Sequence, residues 1–383
     1  MRVLVLGAGY AGVVLTRVLE DRLSDDVELV VVDESGHHLV QHELHRTIRR
    51  PGIADSINIP LGELFDRATV RQETVVDIDT GGKAVELSDG ERLSYDVAAV
   101  CLGARTNFYG MQDVEVHAYS LKRLSDTTGI REDLDDAFDE GAAAPRLVVG
   151  GAGLAGVQLA GEFAAYAAER SADASVAVLE QADRVAPKLS DRFGAALHDE
   201  LTDRGVEVRT GTTVTGASST SVELEHEADE PYDVLVWTGG IRGPSATDGE
   251  RVDVRADLAL DDHTFVLGDT ARVVDADGAA VPPTAQAAVR EARIVAGNIA
   301  SVVDSSRSGD GLPPRLDRFT FDSPGWLVSV GDGAVAQLGT SILRGRAARA
   351  LELGVGAGYL ASSGAVAEAV SFVRAEYERR PDD

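Results

Sequence analysis

The stretch VLVLGAGYAGVVLTRVLEDRL, residues 3–23, decides the fold. It opens on a continuous apolar run, the mark of a strand buried on both faces of a parallel sheet. GAGYAG, residues 7–12, is GxGxxG. Gly7 permits a tight turn, Gly9 lets backbone amides approach a pyrophosphate, and Gly12 lets the following helix pack on the strand. ELVVVDES, residues 28–35, is the next strand. It ends in Asp33, 21 residues after Gly12, where a ribose hydroxyl finds its carboxylate.

The pattern recurs. RLVVGGAGLAGVQLAGEFAAYAAE, residues 146–169, repeats strand, glycine turn and helix, with Gly151, Gly153 and Gly156 in the turn. VAVLEQADRV then repeats the acid-ended strand, with Glu180 24 residues after Gly156. An acid there binds a free ribose 2′-hydroxyl and repels a 2′-phosphate, so NADH is expected over NADPH. Two starts 144 residues apart mean two related domains. Two nicotinamides have little reason to meet, whereas a tightly held FAD and a visiting NADH do, because hydride passes from nicotinamide to flavin.

Around these units, residues 74–104 read as a β-meander with turns at TGG and SDGE, followed by a buried strand. A second meander follows GVEVRTGTTV and leads to YDVLVWTGG, residues 232–240. TFVLGDTAR is a further acid-ended strand, and PPTAQAAVREARIVAGNIASVV a helix entered through two prolines and a threonine. Residues 301–314, SVVDSSRSGDGLPP, read as a linker.

Composition narrows the function. Asp plus Glu total 64 against 36 Lys plus Arg, a net charge of −28, and only Lys83, Lys122 and Lys188 are lysines. Such a field repels nucleic acid and anionic lipid in dilute buffer. It fits a protein soluble at very high salt, where the Debye length falls to about 3 Å and self-repulsion is screened. The one cysteine, Cys101, lies in the apolar AAVCLGA, where it reads as a small hydrophobe. One cysteine excludes an intrachain disulfide, a CxxC zinc site and a dithiol redox pair. With a strand and glycine turn at the very start, no signal peptide is expected, and no run of 18 apolar residues is present.

Together these residues resemble the FAD-dependent pyridine nucleotide oxidoreductases, and within them the type II NADH dehydrogenases (NADH:quinone oxidoreductases). YDVAAVCLGARTNFYGM, with Gly103, is similar to the family's strand and loop that closes over FAD. VEVHAYSLKRLSD follows it as in the family, and VWTGGIRG, with Gly239, resembles the loop returning from the NADH domain. TFVLGDTA resembles the late FAD motif whose acid, here Asp269, contacts the ribityl chain. PPTAQAAVREAR resembles the helix whose N-terminus, at Ala285 and Gln286, faces the flavin ring. Flavin reduction places negative charge at that end of the ring, which helix amides and dipole stabilise.

The resemblance implies an α/β fold of two Rossmann-like dinucleotide-binding domains plus a small C-terminal α+β domain. The expected boundaries are 1–112 and 246–312 for the FAD domain, 113–245 for the NADH domain and 313–383 for a C-terminal interface or membrane-association domain. FAD is held non-covalently, NADH is co-substrate and a menaquinone-type quinone of a respiratory chain is the acceptor. The place of action is the cytoplasm, with peripheral contact on the cytoplasmic face of the membrane through the C-terminal region. The alternatives are a soluble reductase of a ferredoxin-like carrier or oxygen, and an NADH-binding redox sensor without steady turnover.

The departures fall on the acceptor side. The family's second glycine motif runs on to a flavin-proximal glutamate, assigned a role in quinone reduction; here Gln158 stands there, with Glu162 one turn later. Glutamine carries no titratable proton, so the relay is absent or moved. Arg290 replaces the second glutamine of the family's AQxAxQ pattern. The tail carries Val366, Val370, Val373 and Tyr377 at helical spacing, which suits core packing or a homodimer seam as well as membrane docking.

HHLVQHELH, residues 37–45, holds four of the eight histidines. Disulfide reductases carry their redox cysteines in about this place, against the flavin, and the related NADH dehydrogenases a proline and leucine where His42 and Glu43 stand. HExH is not the HExxH of zinc enzymes, so no metal is expected. Two readings stay open: structural histidines, or proton handling at the flavin by His42 or Glu43, with Gln158 and Gln286 as the other catalytic candidates.

Overall fold

The computed structural model describes residues 1–139, 144–308, 313–362 and 365. The tail positions Val366, Val370, Val373 and Tyr377 lie outside the described residues.

The opening apolar run is strand β1 (Arg2–Leu6), and Val3, Leu4, Val5 and Leu6 lose all contact with solvent. Helix α1 (Tyr10–Arg22) follows the glycine turn, and β2 (Glu28–Asp33) returns parallel to β1, pairing Leu6 with Val32. β3 (Thr69–Gln72) extends the sheet beyond β2, and β4 (Val97–Val100) flanks β1 on the other side. Between β3 and β4 the expected meander forms a separate antiparallel sheet, Val75–Asp79, Ala84–Leu87 and Arg92–Ser94.

The second unit is built alike. β5 (Arg146–Gly150), α2 (Leu154–Glu169) and β6 (Ser175–Glu180) repeat β1, α1 and β2, with β7 (Glu207–Thr210) beyond β6 and β8 (Val234–Trp237) on the far side of β5. In both sheets the glycine turn therefore leaves the strand lying between an acid-ended neighbour and a returning one. That is the crevice at the carboxyl ends of parallel strands where ligands bind in open α/β sheets.

The chain crosses between the units twice. Arg105–Thr106 leads out and Ile241–Arg242 leads back, and the two pairs form an antiparallel ribbon. The first sheet is then completed by β9 (Thr264–Val266), parallel to β4. Helix α3 (Ala285–Ser308) packs along α1. It corrects the linker reading: residues 301–308 are helical although their composition is loop-like. Val302 and Val303 carry the reason, because both are buried in the first unit's core and tertiary packing outweighs the weak local propensity of the serines around them.

The C-terminal unit is an antiparallel sheet of β10 (Gly325–Val330), β11 (Gly333–Leu338) and β12 (Ser341–Arg344), covered by α4 (Arg346–Ser362). β10 rests on α2. Among the described residues, no helix is long and apolar enough to cross a membrane.

Candidate functional site

Two cradles of the same construction form the site. In the first, Gly7 has φ +95°, and a Cβ on Gly12 would fall 1.9 Å from the Gly7 carbonyl oxygen. In the second, Gly151 has φ +98°, and a Cβ on Gly156 would fall 1.9 Å from the Gly151 oxygen. The middle glycines differ in kind: nothing lies within 4 Å of a Cβ built on Gly9 or Gly153. Each middle glycine is the N-cap of its helix with no side chain bonded to the free amides. Open space over unsatisfied N–H groups at a helix N-terminus is a cradle for an anion such as a pyrophosphate.

The acids brace these turns. Asp33 accepts from the Ala8 amide at 2.8 Å and from the Ser35 amide at 2.9 Å. Glu180 does the same for Ala152 at 2.7 Å and Ala182 at 2.9 Å. Both carboxylates stay only partly buried, beside their cradles.

The remaining first-cradle positions converge from far along the chain. Thr270 donates to the Gly103 carbonyl at 2.9 Å, which sets the turn 268–270 beside Gly103, itself at φ +68° with nothing within 4 Å of its Cβ position. Arg251 donates to the Asp269 carbonyl at 2.8 Å. The Gly268 amide donates at 2.6 Å to Glu291, buried on α3. Burial pushes the Glu291 carboxyl up to about 7, and Asp269 adds to the rise. Thr284 accepts from the Ala287 amide at 3.2 Å and caps α3, and Gln286 accepts from Ser323 of the C-terminal unit at 3.2 Å. Half-buried Lys122, which sequence reasoning did not select, is lowered by burial and drawn back up by Asp269 and Asp126. Its scarcity was the signal: it is one of three lysines.

The histidine stretch wraps the first cradle. His37–Leu39 is a short strand paired with Asn58–Pro60, and Gln41–Ile48 is a 3-10 helix. His38 is buried, bonded through Nδ1 to the Ala8 carbonyl at 2.9 Å and through Nε2 to the Tyr359 hydroxyl at 2.8 Å. Tyr10, from the glycine turn, meets Nδ1 of His42 at 2.5 Å and accepts from the His42 amide. Nδ1 is then the acceptor, and Nε2–H faces Glu43, 3.3 Å away. Burial, reinforced by Arg46, holds His42 down to about 4, so the ring is neutral at ordinary pH. Burial likewise lowers His38 to about 4 and takes His45 well below its usual range. Among the described residues, no group of three or more His, Cys, Asp or Glu is placed to hold a metal ion.

Gln158, on α2, donates to Ser329 of β10 at 3.1 Å, and His45 bonds the same hydroxyl at 2.8 Å. Three parts of the chain meet there: the 3-10 helix, α2 and the C-terminal sheet. Glu162 is buried against Arg49, which also reaches Asp332 at 2.7 Å. Glu162 is thus committed to an ion pair. Arg290 donates to the Asp322 carbonyl and lies over the Phe321 ring. Cys101 is buried, and its thiol is pushed well up by burial and by Glu291.

Two open cradles, one per sheet and joined by a ribbon, define a protein that binds two dinucleotides. The family model for pyridine nucleotide-disulphide oxidoreductases matches residues 1–292, and the chain belongs to that family. Its single cysteine leaves the disulphide half of that name without a counterpart within the chain. The chain is 24% identical over 376 residues to a type II NADH:quinone oxidoreductase of Staphylococcus saprophyticus, covering 90% of each. It is 24% identical over 380 residues to the enzyme of the same name from Staphylococcus aureus, covering 91% of this chain and 92% of the other. In fold it is similar to NDH2 from Plasmodium falciparum, solved in complex with NADH, with TM-score 0.83, 15% identity and 99% of each chain covered. The sulfide:quinone oxidoreductase of Aquifex aeolicus superposes with TM-score 0.79 at 16% identity, over 96% of this chain and 92% of the other.

Proposed function

We propose that this protein is a type II NADH:quinone oxidoreductase: it oxidises NADH and passes two electrons to a quinone. The observation that carries the reading is the pair of cradles, each with a middle glycine facing open space and an acid bracing its turn. The name shared by the whole-length relatives supports it.

The residues of the first cradle fit FAD. Gly7, Gly9 and Gly12 would take the pyrophosphate, Asp33 a ribose, and Gly103, Asp269, Ala285 and Gln286 the flavin half. When bound, FAD supplies the two-electron relay between NADH and the acceptor. Gly151, Gly153, Gly156, Glu180 and Gly239 are assigned to NADH. The open amides of α1 and α2 hold the diphosphates of the two ligands, and the capped end of α3 presents its first amides towards negative charge.

On the acceptor side Gln158 cannot titrate, and it is tethered to Ser329. We assign the proton-handling position to Tyr10 and His42, with Glu43 orienting the neutral imidazole. The acceptor is of the menaquinone type, met on the cytoplasmic face of a membrane by the C-terminal unit. Exposed Leu338, Leu351 and Val355 on that unit support this contact.

The test is an acceptor screen in molar salt. A yellow protein bleached anaerobically by NADH, then reoxidised in steady turnover by a menaquinone analogue, is the expected result. Failure to bleach overturns the donor. Turnover with a ferredoxin-like carrier or oxygen alone overturns the acceptor, and bleaching without turnover favours a sensor.

A further inference from the structure

Tyr109 lies three residues beyond Thr106, where the ribbon between the two units ends. Its φ is +52°, in the left-handed region that bulky side chains rarely enter, and it is 63% exposed. The Met111 amide donates to the Phe108 carbonyl at 2.9 Å and closes a turn whose central residues, Tyr109 and Gly110 at φ +80°, are both left-handed. The turn accounts for the φ but favours Gly, Asn or Asp there, not an exposed aromatic ring, and strain of this kind gathers at ligand-binding positions.

The surroundings over-determine its place. Asn107 accepts from the Tyr109 amide at 2.9 Å through its side chain, and its backbone donates to the Gly240 carbonyl at 3.0 Å. Trp237 donates to the Asn107 carbonyl at 2.8 Å. The Tyr109 hydroxyl donates to the Gly239 carbonyl at 3.2 Å, and a Cβ on Gly240 would fall 2.3 Å from that hydroxyl. The ring therefore lies against the Gly239–Gly240 backbone.

Gly239 flanks the second cradle, since a Cβ on Gly151 would fall 2.7 Å from the Gly239 Cα. Glu180 flanks it from the opposite side, because β6 and β8 lie on either side of β5. The strand-end acid takes the adenosine ribose and the cradle takes the pyrophosphate. The other half of the dinucleotide must leave over Gly239, where Tyr109 waits.

We infer that the Tyr109 ring covers the nicotinamide half of bound NADH and positions it. This rests on the assignment of NADH to the second cradle. The strained backbone holds the ring over the substrate in advance, so that binding NADH does not have to order it.

The experiment compares wild type with Tyr109→Gly, which relieves the positive φ, and with Tyr109→Phe. Three quantities are read: KM for NADH, KM for reduced nicotinamide mononucleotide, and Kd for ADP-ribose, which lacks the nicotinamide. In Tyr109→Gly both KM values rise about three- to tenfold, the worth of one aromatic contact. Its Kd for ADP-ribose and its melting behaviour stay near wild type. Tyr109→Phe keeps its KM for NADH within about twofold, because the ring makes the contact. Equal weakening of ADP-ribose and NADH in Tyr109→Gly assigns the residue a structural role and overturns the inference. So does an unchanged KM for NADH with ADP-ribose still bound. A wild-type protein that binds neither ADP-ribose nor NADH overturns the reading of the second cradle instead, and the inference with it.

Discussion

Arg49 and Glu162 meet in a buried ion pair between the end of the histidine-bearing segment and helix α2, with relative exposures of 5% and 1%. Glu162 follows the position where the resembled family keeps its relay glutamate by one helical turn. Burial raises its carboxyl and Arg49 pulls it back. The pairing makes Glu162 a fastening of α2. Arg49→Met, which strands the carboxylate, should cost about 3–5 kcal/mol in urea unfolding. Glu162→Gln keeps the shape and should cost less, about 1–3 kcal/mol. The pH profile of quinone turnover should be unchanged in Glu162→Gln; a lost ionisation would return Glu162 to the chemistry.

His42→Ala removes the acceptor that holds the Tyr10 hydroxyl. The acceptor half-reaction should slow about tenfold, the worth of one hydrogen bond between half-buried groups, while bleaching by NADH keeps its rate. Because His42 is held down to about 4, the loss should be constant from pH 6 to 8. Stopped-flow traces of the two half-reactions separate these outcomes. An unchanged acceptor rate would leave the histidines purely structural.

What was legible in the sequence is what local sterics impose. Gly12 has to be glycine because the turn brings the Gly7 carbonyl onto it, and Gly156 repeats the demand. Those constraints act within six residues, so they survive as a motif. The acceptor side is assembled from distant parts. Ser329 lies 171 residues from Gln158, and Glu162 lies 113 from Arg49. No local pattern records such pairings. Helix α3 runs on to Ser308, past the 282–303 that the pattern marks as helical and into the stretch that reads as linker, because burial of Val302 and Val303 in the first unit's core outweighs the composition around them. Tyr109 lies within the motif that closes over FAD, but a positive φ on a tyrosine leaves no mark in the sequence.

Glu291 gives stability a pH dependence that can be isolated. Burial raises its carboxyl from 4.5 to about 7. The native state holds this proton more tightly than the unfolded chain. Its contribution is therefore complete below about pH 4.5 and is lost as the pH rises through 7, a change of about 3 kcal/mol. Glu291→Gln can still accept from the Gly268 amide and carries no such proton. Its melting temperature should change less than wild type's between pH 5 and pH 8, with the variant the more stable at pH 8. Parallel curves for the two proteins would contradict the assignment.

Glu180 does two things that different substitutions separate. Its carboxylate braces Ala152 and Ala182, and its charge lies at the end of β6, where a 2′-phosphate would arrive. Like charges brought together at a binding site cost several kcal/mol, so wild type should favour NADH over NADPH by about 100-fold or more in kcat/KM. Glu180→Gln removes the charge and keeps one carbonyl oxygen, enough for one of the two braced amides. It should lose part of its NADH activity, less than Glu180→Ala does, and gain on NADPH. Glu180→Ala removes the brace as well, leaves the Ala152 amide without its acceptor, and should raise KM for both nucleotides. The assays must share one salt concentration. At 1 M the Debye length is about 3 Å, so only the repulsion at contact survives there. Selectivity that persists in molar salt and disappears in Glu180→Gln comes from the carboxylate at the ribose. Selectivity that vanishes with salt in wild type would come instead from the general field of a chain carrying −28.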